Sequence, residues 1–266
     1  MKSPKVIGPT ITTGTSNIEV GGSGIRMEAP ITGSILGVFI MAERAGVQTA
    51  AESNLIQVTL SSDSVPISPC ELLAEPINSG VGADIAGYRE KAPFYPLNCP
   101  VKAGNKIKVE AKELHACTVH VYVAVTFIFT DRPLAPQYKY KVGTLTAAIT
   151  AGSTGEKKGS QIALQGCRMI TGLYGIIVDT TIASGKGQIG KFRLSSSQIK
   201  AMGDLEWHAE FVGGILAGAA GEGCARISRL EGLEVPVADP CTLDDYFNQT
   251  VAVTTAGEFV IAVQYV

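Results

Sequence analysis

The stretch TVHVYVAVTFIF, residues 118–129, carries an apolar side chain at nearly every second position. A period of two is typical of a β-strand with one face in a hydrophobic core. The stretch FVIAVQYV at 259–266 has the same pattern, and a shift of 138 positions superimposes the two. Because the shift is even, the inward and outward faces stay in phase. The sequence therefore predicts two similar β halves, each closed by a long strand, with these residues aligned: Val121, Val123, Val125 and Phe127 on Phe259, Ile261, Val263 and Tyr265.

Three other blocks of the first half recur in the second half in the same order. The pairs are 23–27 with 160–164, 35–40 with 173–178, and 57–62 with 191–196. The second pair places Gly175 on Gly37. The shift differs from block to block, as insertions in surface loops would produce. The shared order predicts an internal duplication of the chain.

Length and composition favour an all-β chain of two tandem jelly-roll or β-sandwich domains, that is, a double jelly roll. The chain has 266 residues, 45% of them hydrophobic and only 17% charged. Each half has the size of one such domain, about 100 residues or more. Pro133 and Pro136 interrupt sheet pairing between the halves. We therefore expect four segments: an extended N-terminal arm at 1–24, a first jelly roll at 25–132, a linker at 133–143 and a second jelly roll at 144–266.

Short helices are expected in the connections between strands. Ser68 is a good N-cap residue, Pro69 suits the first helical turn and Glu71 completes a capping box. The corresponding stretch of the second half is 197–202. Residues 78–100 are rich in glycine and proline, which predicts long loops around one or two short strands.

The charge distribution argues against direct binding of nucleic acid. The net charge is −2, and the segment 1–24 holds only Lys2 and Lys5 as cations, whereas phosphate binding needs clustered Lys and Arg. The residues after Met1 lack the apolar core of a signal peptide, and no run of 18 apolar residues could span a membrane. We expect synthesis in the cytoplasm and free thiols at six scattered cysteines: Cys70, Cys99, Cys117, Cys167, Cys224 and Cys241.

His115, Cys117 and His120 lie close in sequence but do not make a metal-binding set. On a single strand, His115 and Cys117 share one face and His120 points to the other. His208 is the only other histidine of the sequence. A double-barrelled metal oxygenase of the cupin type would therefore lack ligands.

The remaining motifs also favour structural roles. GKGQIG at 185–190 matches G-x-G-x-x-G but precedes a predicted strand, which indicates a hairpin loop and not a dinucleotide site. The glycine-rich stretch 213–223 lacks the Lys-Ser/Thr of a phosphate-binding loop. The acidic pairs Asp244–Asp245 and Glu206–Glu210 are expected at solvated edges. We assign no catalytic, cofactor-binding or metal-binding residue and expect no enzymatic activity.

Aromatic residues leave a second class of function open. Trp207 could stack on a sugar, and with Tyr174 and the 78–98 loop it would form the site of a duplicated β-sandwich protein that binds carbohydrate or another surface ligand. The competing interpretation places Trp207 in a core or between subunits. Residues 138–141 could likewise seat against the other half or a neighbouring subunit.

As a whole the chain resembles the double jelly-roll major capsid proteins of tailless icosahedral viruses. The resemblance rests on two proline-separated β halves, the closing strands 118–129 and 259–266, the short helices expected after Leu60 and Leu194, and the lack of a basic arm. It covers the whole chain and is one of architecture, not of a diagnostic motif.

The resemblance implies a structural protein of the virion, without cofactor. A homotrimer of a two-barrel chain presents six barrels in a near-hexagonal outline, so it can tile an icosahedral shell. The resemblance further implies contacts with minor capsid or penton proteins. It also implies that the arm at 1–24 contacts a neighbouring subunit or an internal membrane. Trimming residues 1–20 is then expected to abolish assembly and leave the fold intact.

Overall fold

The computed structural model describes the chain in fourteen stretches: residues 5–7, 10–13, 19–45, 56–67, 69–74, 76–77, 94–114, 120–144, 146–149, 155–179, 187–199, 203–212, 227–249 and 257–266. These residues form β-strands joined by turns and contain no helix, so the predicted all-β class is confirmed. They fall into two compact units, the first ending at Tyr140 and the second continuing from Lys141 to Val266.

The described strands up to Thr130 form the two sheets of the first unit. Strands β1 and β2 pair with β10, β10 pairs with β4, and β4 pairs on its other side with β8 and, in parallel, with β7. The other sheet has the order β3-β9-β5-β6. The strand bounds are β1 Lys5–Ile7, β2 Thr10–Thr13, β3 Glu19–Glu28, β4 Gly33–Ala45, β5 Ile56–Ser61, β6 Cys70–Ala74, β7 Pro76–Ile77, β8 Phe94–Val101, β9 Lys106–Glu113 and β10 His120–Thr130.

The remaining strands form two further antiparallel sheets. Strands β11 and β12 pair with β19, and the first sheet continues in the order β19-β14-β17. The second sheet has the order β13-β18-β15-β16. The bounds are β11 Lys139–Val142, β12 Thr146–Ile149, β13 Gly155–Leu164, β14 Met169–Asp179, β15 Gly187–Ser195, β16 Leu205–Val212, β17 Ser228–Pro236, β18 Cys241–Gln249 and β19 Gly257–Tyr265.

The two sets of strands follow one nested order of pairing. In each set the opening strands pair with the closing strand. In the first set β1 and β2 pair with β10, and in the second set β11 and β12 pair with β19. Inside them β3 pairs with β9 and β13 with β18, then β4 with β8 and β14 with β17. The innermost hairpins are β5–β6 and β15–β16. This is the order of one long antiparallel hairpin folded over into two sheets.

A β-bulge at the same place in β4 and β14 fixes how the halves align. Phe129 pairs with Ile35 and Ile128 with Gly37, which leaves Leu36 as an extra residue. In the second unit Tyr265 pairs with Ile170 and Gln264 with Gly172, which leaves Thr171 extra. A bulge changes which face the following residues point to. Gly172, not Gly175, therefore corresponds to Gly37, and the closing strands correspond with a shift of 136 rather than 138.

The alignment of 57–62 with 191–196 agrees with the structure. Ser62, after β5, donates its hydroxyl hydrogen to the Lys106 carbonyl at 2.5 Å and accepts from the backbone N–H of Ser64 at 3.1 Å. Ser196, after β15, donates to the Thr242 carbonyl at 2.6 Å and accepts from the N–H of Gln198 at 3.2 Å. The same serine turn therefore begins the connection from β5 to β6 and from β15 to β16.

Each unit has an apolar core between its two sheets. In the first unit the inward positions of β5 and β10 are fully buried, as at Val58, Leu60, Val123 and Val125. In the second unit the core contains a ring cluster centred on Phe192, whose ring lies 5.1 Å from Trp207, 5.2 Å from Phe247 and 6.2 Å from Phe259, measured between centroids. Gly175 makes room for it, since a Cβ there would lie 2.3 Å from the Phe192 ring.

The predicted short helices are wrong for the described residues. Cys70–Ala74 form strand β6, which pairs with β5, and Cys70, Leu72 and Leu73 are buried. The capping signal at 68–71 is local, and the burial of this apolar run against β5 outweighs it. Residues 197–199 form a turn that ends in an isolated bridge of Ile199 to Val237, and 200–202 lie outside the described residues.

Two other segments differ in detail from the sequence expectation. Residues 94–101, at the end of the stretch expected to hold long loops and one or two short strands, form the eight-residue strand β8. Pro96 and Pro100 are tolerated there because β8 pairs with β4 alone among the described strands, and an edge strand can do without some N–H donors. Within the segment 1–24, β1 and β2 are hydrogen-bonded to β10, and the first residues of β3 are paired with β9.

Candidate functional site

Arg193 is the centre of a charged network on the outward face of the sheet β13-β18-β15-β16. Its Nε donates to Glu156 Oε1 at 2.8 Å and its Nη2 to Glu156 Oε2 at 2.6 Å, while Nη1 donates to Asp204 Oδ2. The hydrogen bond from Arg193 lowers the pKa of Glu156, and hydrogen bonds from Ser195 and Arg193 lower the pKa of Asp204. A bidentate Arg–carboxylate pair of this kind is geometrically specific.

Tyr246 of β18 lies beneath this network. The Arg193 guanidinium stands 3.9 Å from the centre of its ring, and Lys158 Nζ stands 5.7 Å from it. Lys158 also pairs with Asp244 at 3.3 Å, and Lys191 with Glu206 at 3.0 Å. These contacts tie the four strands of the sheet together across their outward face. The cations are matched by carboxylates, so the face is a structural one and not an open anion-binding patch.

Asp245 is different from its neighbour Asp244, although both were expected at a solvated edge. Asp244 points outward and accepts from Gln161 Nε2 at 2.8 Å, which with Lys158 lowers its pKa. Asp245 is fully buried, so the expectation of a solvated edge is wrong for it. Its Oδ2 accepts from Ser160 Oγ at 3.2 Å, and its Oδ1 has no hydrogen-bond partner. Burial raises the pKa of Asp245 to about 7.

Trp207 and Tyr174 do not offer a stacking platform for a sugar. Trp207 lies on β16 in the ring cluster and is only 6% exposed, and its indole N–H has no partner. Tyr174 on β14 is fully buried, and its hydroxyl donates to Glu231 Oε1 at 3.0 Å. The core interpretation of Trp207 is therefore confirmed. Of the 78–98 loop, the residues before Phe94 lie outside the described part of the chain.

The candidate metal ligands and glycine motifs are only partly within the described residues. His115 and Cys117 lie outside them, and only the backbone of His120 is described, in β10. His208 is exposed on β16. Within the described residues no group of three or more His, Cys, Asp or Glu could hold a metal ion. Residues 187–190 of the G-x-G-x-x-G motif begin strand β15, which does not fit a dinucleotide fingerprint, and 213–223 lie outside the described part.

The cysteines in the described part are buried. Burial raises the pKa of Cys99 to about 12 and raises that of Cys70 as well, so both stay protonated at neutral pH. Neither has the exposed thiolate that a reactive cysteine needs. Cys167 and Cys241 are also buried, while Cys117 and Cys224 fall outside the described residues.

Sequence reasoning did not single out Arg193 or Ser160. Arg193 alternates with the buried Phe192 and Leu194, and this alternation shows only that it points outward. The partners Glu156 and Asp204 come from separate strands and connections, 37 and 11 positions away. For Asp245 a signal exists: Leu243, Asp245 and Phe247 share one face of the strand.

Comparisons with known proteins give only distant likenesses. No family model matches the chain, and no curated protein does. Among solved structures it is similar to a chain of the T13 IBDV viral particle, at 9% identity and TM-score 0.26 over 99% of this chain and 70% of that chain. It is also similar to a chain of the infectious bursal disease virus Gx strain, at 7% identity and TM-score 0.26 over 99% and 73%. A chain of T=1 particles derived from infectious bursal virus matches at 10% identity and TM-score 0.18 over 99% and 77%. TM-scores this low define neither the fold nor the function of this chain.

In the described part of the chain no helix is long and apolar enough to cross a membrane.

Proposed function

We propose that this chain is a double jelly-roll structural protein, a major capsid protein whose trimers tile an icosahedral shell in a virion. The observation that carries the proposal is the nested pairing order, which occurs twice. Each set has eight strands when β1 and β2 are counted as one strand, β11 and β12 as one strand, and β7 is left out. In each set the first strand then pairs with the eighth, the second with the seventh, the third with the sixth and the fourth with the fifth. Eight strands in two sheets with nested connections are the jelly-roll pattern.

The duplication supports an assembly role through symmetry. Two barrels in one chain give a closed trimer six barrels, and an outline close to a hexagon can fill a surface without gaps. The bulges at Leu36 and Thr171 and the serine turns at Ser62 and Ser196 support the view that the two barrels are copies of one design. We propose no cofactor and no enzymatic activity. The partners proposed are further copies of the chain and minor capsid or penton proteins.

The first experiment measures the particle that the purified chain forms. Native mass spectrometry is expected to give a mass of three chains, and negative-stain images are expected to show a near-hexagonal outline. A chain that stays monomeric at tens of micromolar and binds glycans on an array would overturn the proposal in favour of the carbohydrate-binding alternative.

Deletion of residues 1–13 is expected to destabilise the first unit. The deletion removes β1, which pairs with Phe127–Phe129, and β2, which pairs with Val121–Ala124. The loss of these backbone hydrogen bonds is worth on the order of a few kcal/mol, and β10 becomes an exposed edge that is prone to aggregate. The measurement is the urea midpoint together with hydrogen exchange of a peptide covering 120–130.

Deletion of residues 1–4 is the matched control, because it leaves β1 and β2 in place. The shorter deletion should keep the wild-type midpoint and exchange. If deletion of 1–13 also leaves both unchanged but abolishes the trimer, the segment acts as an assembly arm and not as part of the sheet.

A further inference from the structure

Asp245 occupies a position that is apolar in the first unit. In the second unit Asp245 of β18 lies opposite Leu194 of β15. In the first unit the residue of β9 opposite Leu60 is Val109, and Leu60 corresponds to Leu194 through the shared serine turn. Val109 and Asp245 are both fully buried. A carboxyl therefore stands where the same architecture elsewhere holds a core valine, at a cost in desolvation that needs an explanation.

The structure places the Asp245 carboxyl at an irregularity of β13. Lys158 pairs with Tyr246 and Gln161 with Asp244, so Gly159 and Ser160 together lie opposite Asp245. A Cβ at Gly159 would lie only 2.1 Å from Asp245 Oδ1, so the backbone of the irregularity sits directly against the oxygen that has no partner. The other oxygen accepts from Ser160 Oγ at 3.2 Å.

The Ser160 hydroxyl connects Asp245 to the segment between β11 and β12. Its oxygen accepts from the backbone N–H of Thr144 at 3.1 Å, and the same hydroxyl stands 3.4 Å from the Thr144 carbonyl oxygen. A hydroxyl has one hydrogen and two lone pairs. Ser160 can therefore donate to Asp245 or to the Thr144 carbonyl, but not fully to both. The carbonyl has a second donor in the Oγ1 hydroxyl of Thr146, the first residue of β12, at 3.2 Å.

We propose that Asp245, Ser160 and Thr144 form a proton-operated latch. When the Asp245 carboxyl carries its proton, its O–H donates to Ser160 Oγ, and the Ser160 hydrogen is available to the Thr144 carbonyl. When the proton leaves to water, the carboxylate takes the Ser160 hydrogen, and the Thr144 carbonyl loses its tie to β13. The bond from Ser160 to the Thr144 carbonyl is made at low pH and broken at high pH, while the Thr144 N–H donates to Ser160 Oγ in both states. It does not depend on the proposed capsid function.

The groups around Asp245 fit this assignment. Ser160 of β13 donates to the carboxyl, Gly159 of β13 lies against it, and Leu194 of β15 is the backbone partner of Asp245, and all three are uncharged. Asp244, next along β18, disfavours the ionised form by like-charge repulsion. Lys158 stands on the outward side with Asp244 and balances that charge instead. Burial, the largest effect, and the charge of Asp244 raise the pKa of Asp245, hydrogen bonds from Ser160 and from the backbone N–H of Asp245 lower it, and the net result is a pKa of about 7, which puts the change near neutral pH.

The direction of the pH dependence follows from the two pKa values. The unfolded chain releases the Asp245 proton near pH 4, and the folded chain releases it near pH 7. Between these values the folded state binds more protons, so the Asp245 contribution to the free energy of unfolding falls as pH rises. The contribution is fully present below about pH 4 and is lost above about pH 7.

The test measures the Asp245 carboxyl and the Thr144 carbonyl separately in the full chain. Asp245 is expected to titrate near neutral pH by its ¹³Cγ shift, and the Thr144 carbonyl ¹³C shift should move with the same midpoint. Hydrogen exchange of a peptide covering 141–149, corrected for the intrinsic rate, should rise about threefold above the midpoint, as the loss of one weak hydrogen bond would produce.

Three variants separate the latch from a merely structural role. Asp245→Asn offers an N–H to Ser160 at every pH, so the exchange of 141–149 should stay at the low-pH rate. In Ser160→Ala, Asp245 should still titrate, but the ¹³C shift of the Thr144 carbonyl should not change with pH. Asp245→Val restores the residue type of the first unit and should remove the pH response. Asp244→Asn, the control, should keep the coupled titration at a slightly lower midpoint.

Two results would overturn the latch. One is an Asp245 that is already ionised at pH 5. The other is a Thr144 carbonyl shift that stays constant while Asp245 titrates.

Discussion

Replacement of Phe192 by alanine is expected to lower the free energy of unfolding of the second unit by about 3–5 kcal/mol. The ring is fully buried and contacts Trp207, Phe247 and Phe259, which come from three other strands. Its removal leaves a cavity that aromatic neighbours cannot fill without leaving their rotamers.

Trp207 gives the measurement. It is the single tryptophan of the chain and stands 5.1 Å from the Phe192 ring, so its fluorescence reports on this core directly. Denaturant titration should show the lower midpoint of Phe192→Ala with an earlier red shift. Phe192→Leu, which keeps most of the volume, should lose clearly less, and Lys191→Ala on the outward face should lose little. Equal losses for Phe192→Ala and Lys191→Ala would contradict the described core.

Replacement of Val123 by aspartate is expected to prevent the first unit from folding. Val123 is fully buried in the centre of β10, which carries β2 on one side and β4 on the other. A charge there has no partner, and its burial costs on the order of 4 kcal/mol or more, a large part of the stability of a domain. Circular dichroism and hydrogen exchange of β10 should both show the loss.

Ala124→Asp is the matched control for Val123→Asp. Ala124 is the next residue of the same strand, points to the opposite side and is only half-buried. This variant should fold, with a small loss of stability. A folded Val123→Asp protein with a disrupted Ala124→Asp protein would mean that the two faces of β10 are exchanged.

The sequence was informative about strands because alternation is a direct readout of a half-buried face. It predicted the all-β class, the recurrence of the closing strands as β10 and β19, and the equivalence of 57–62 with 191–196. It misaligned the closing strands by two positions, because alternation is unchanged by a shift of two residues. The bulges at Leu36 and Thr171 break the alternation in β4 and β14, and only the pairing register reveals them.

The candidate site was harder to predict because it depends on contacts between distant strands. Asp244 and Asp245 look alike in a sequence, yet adjacent residues of a strand point to opposite sides, so only one of the two can be solvated on a covered sheet. The Arg193 network and the Ser160 hydrogen bonds join residues up to 85 positions apart. The capping signal at Ser68 gave a wrong prediction because it reflects only the local preference for a helix. It carries no information about the pairing of the following residues with β5.

The extra residues at Leu36 and Thr171 have a consequence for changes in chain length. In β4 the core positions Ile35 and Val38 are three residues apart across the bulge, whereas Val38 and Ile40 are two apart. In β14 the core positions Ile170 and Leu173 are likewise three apart across the bulge. Deleting either extra residue would space the core positions by two, so the strand could continue without the bulge and keep the same face inward, whereas a deletion elsewhere in β4 or β14 would turn one arm of the strand over. Most proteins absorb a lost residue more easily in a loop than in a strand. A change of length inside β4 or β14 is therefore expected to be tolerated only at the bulge, while the connections can absorb it more freely.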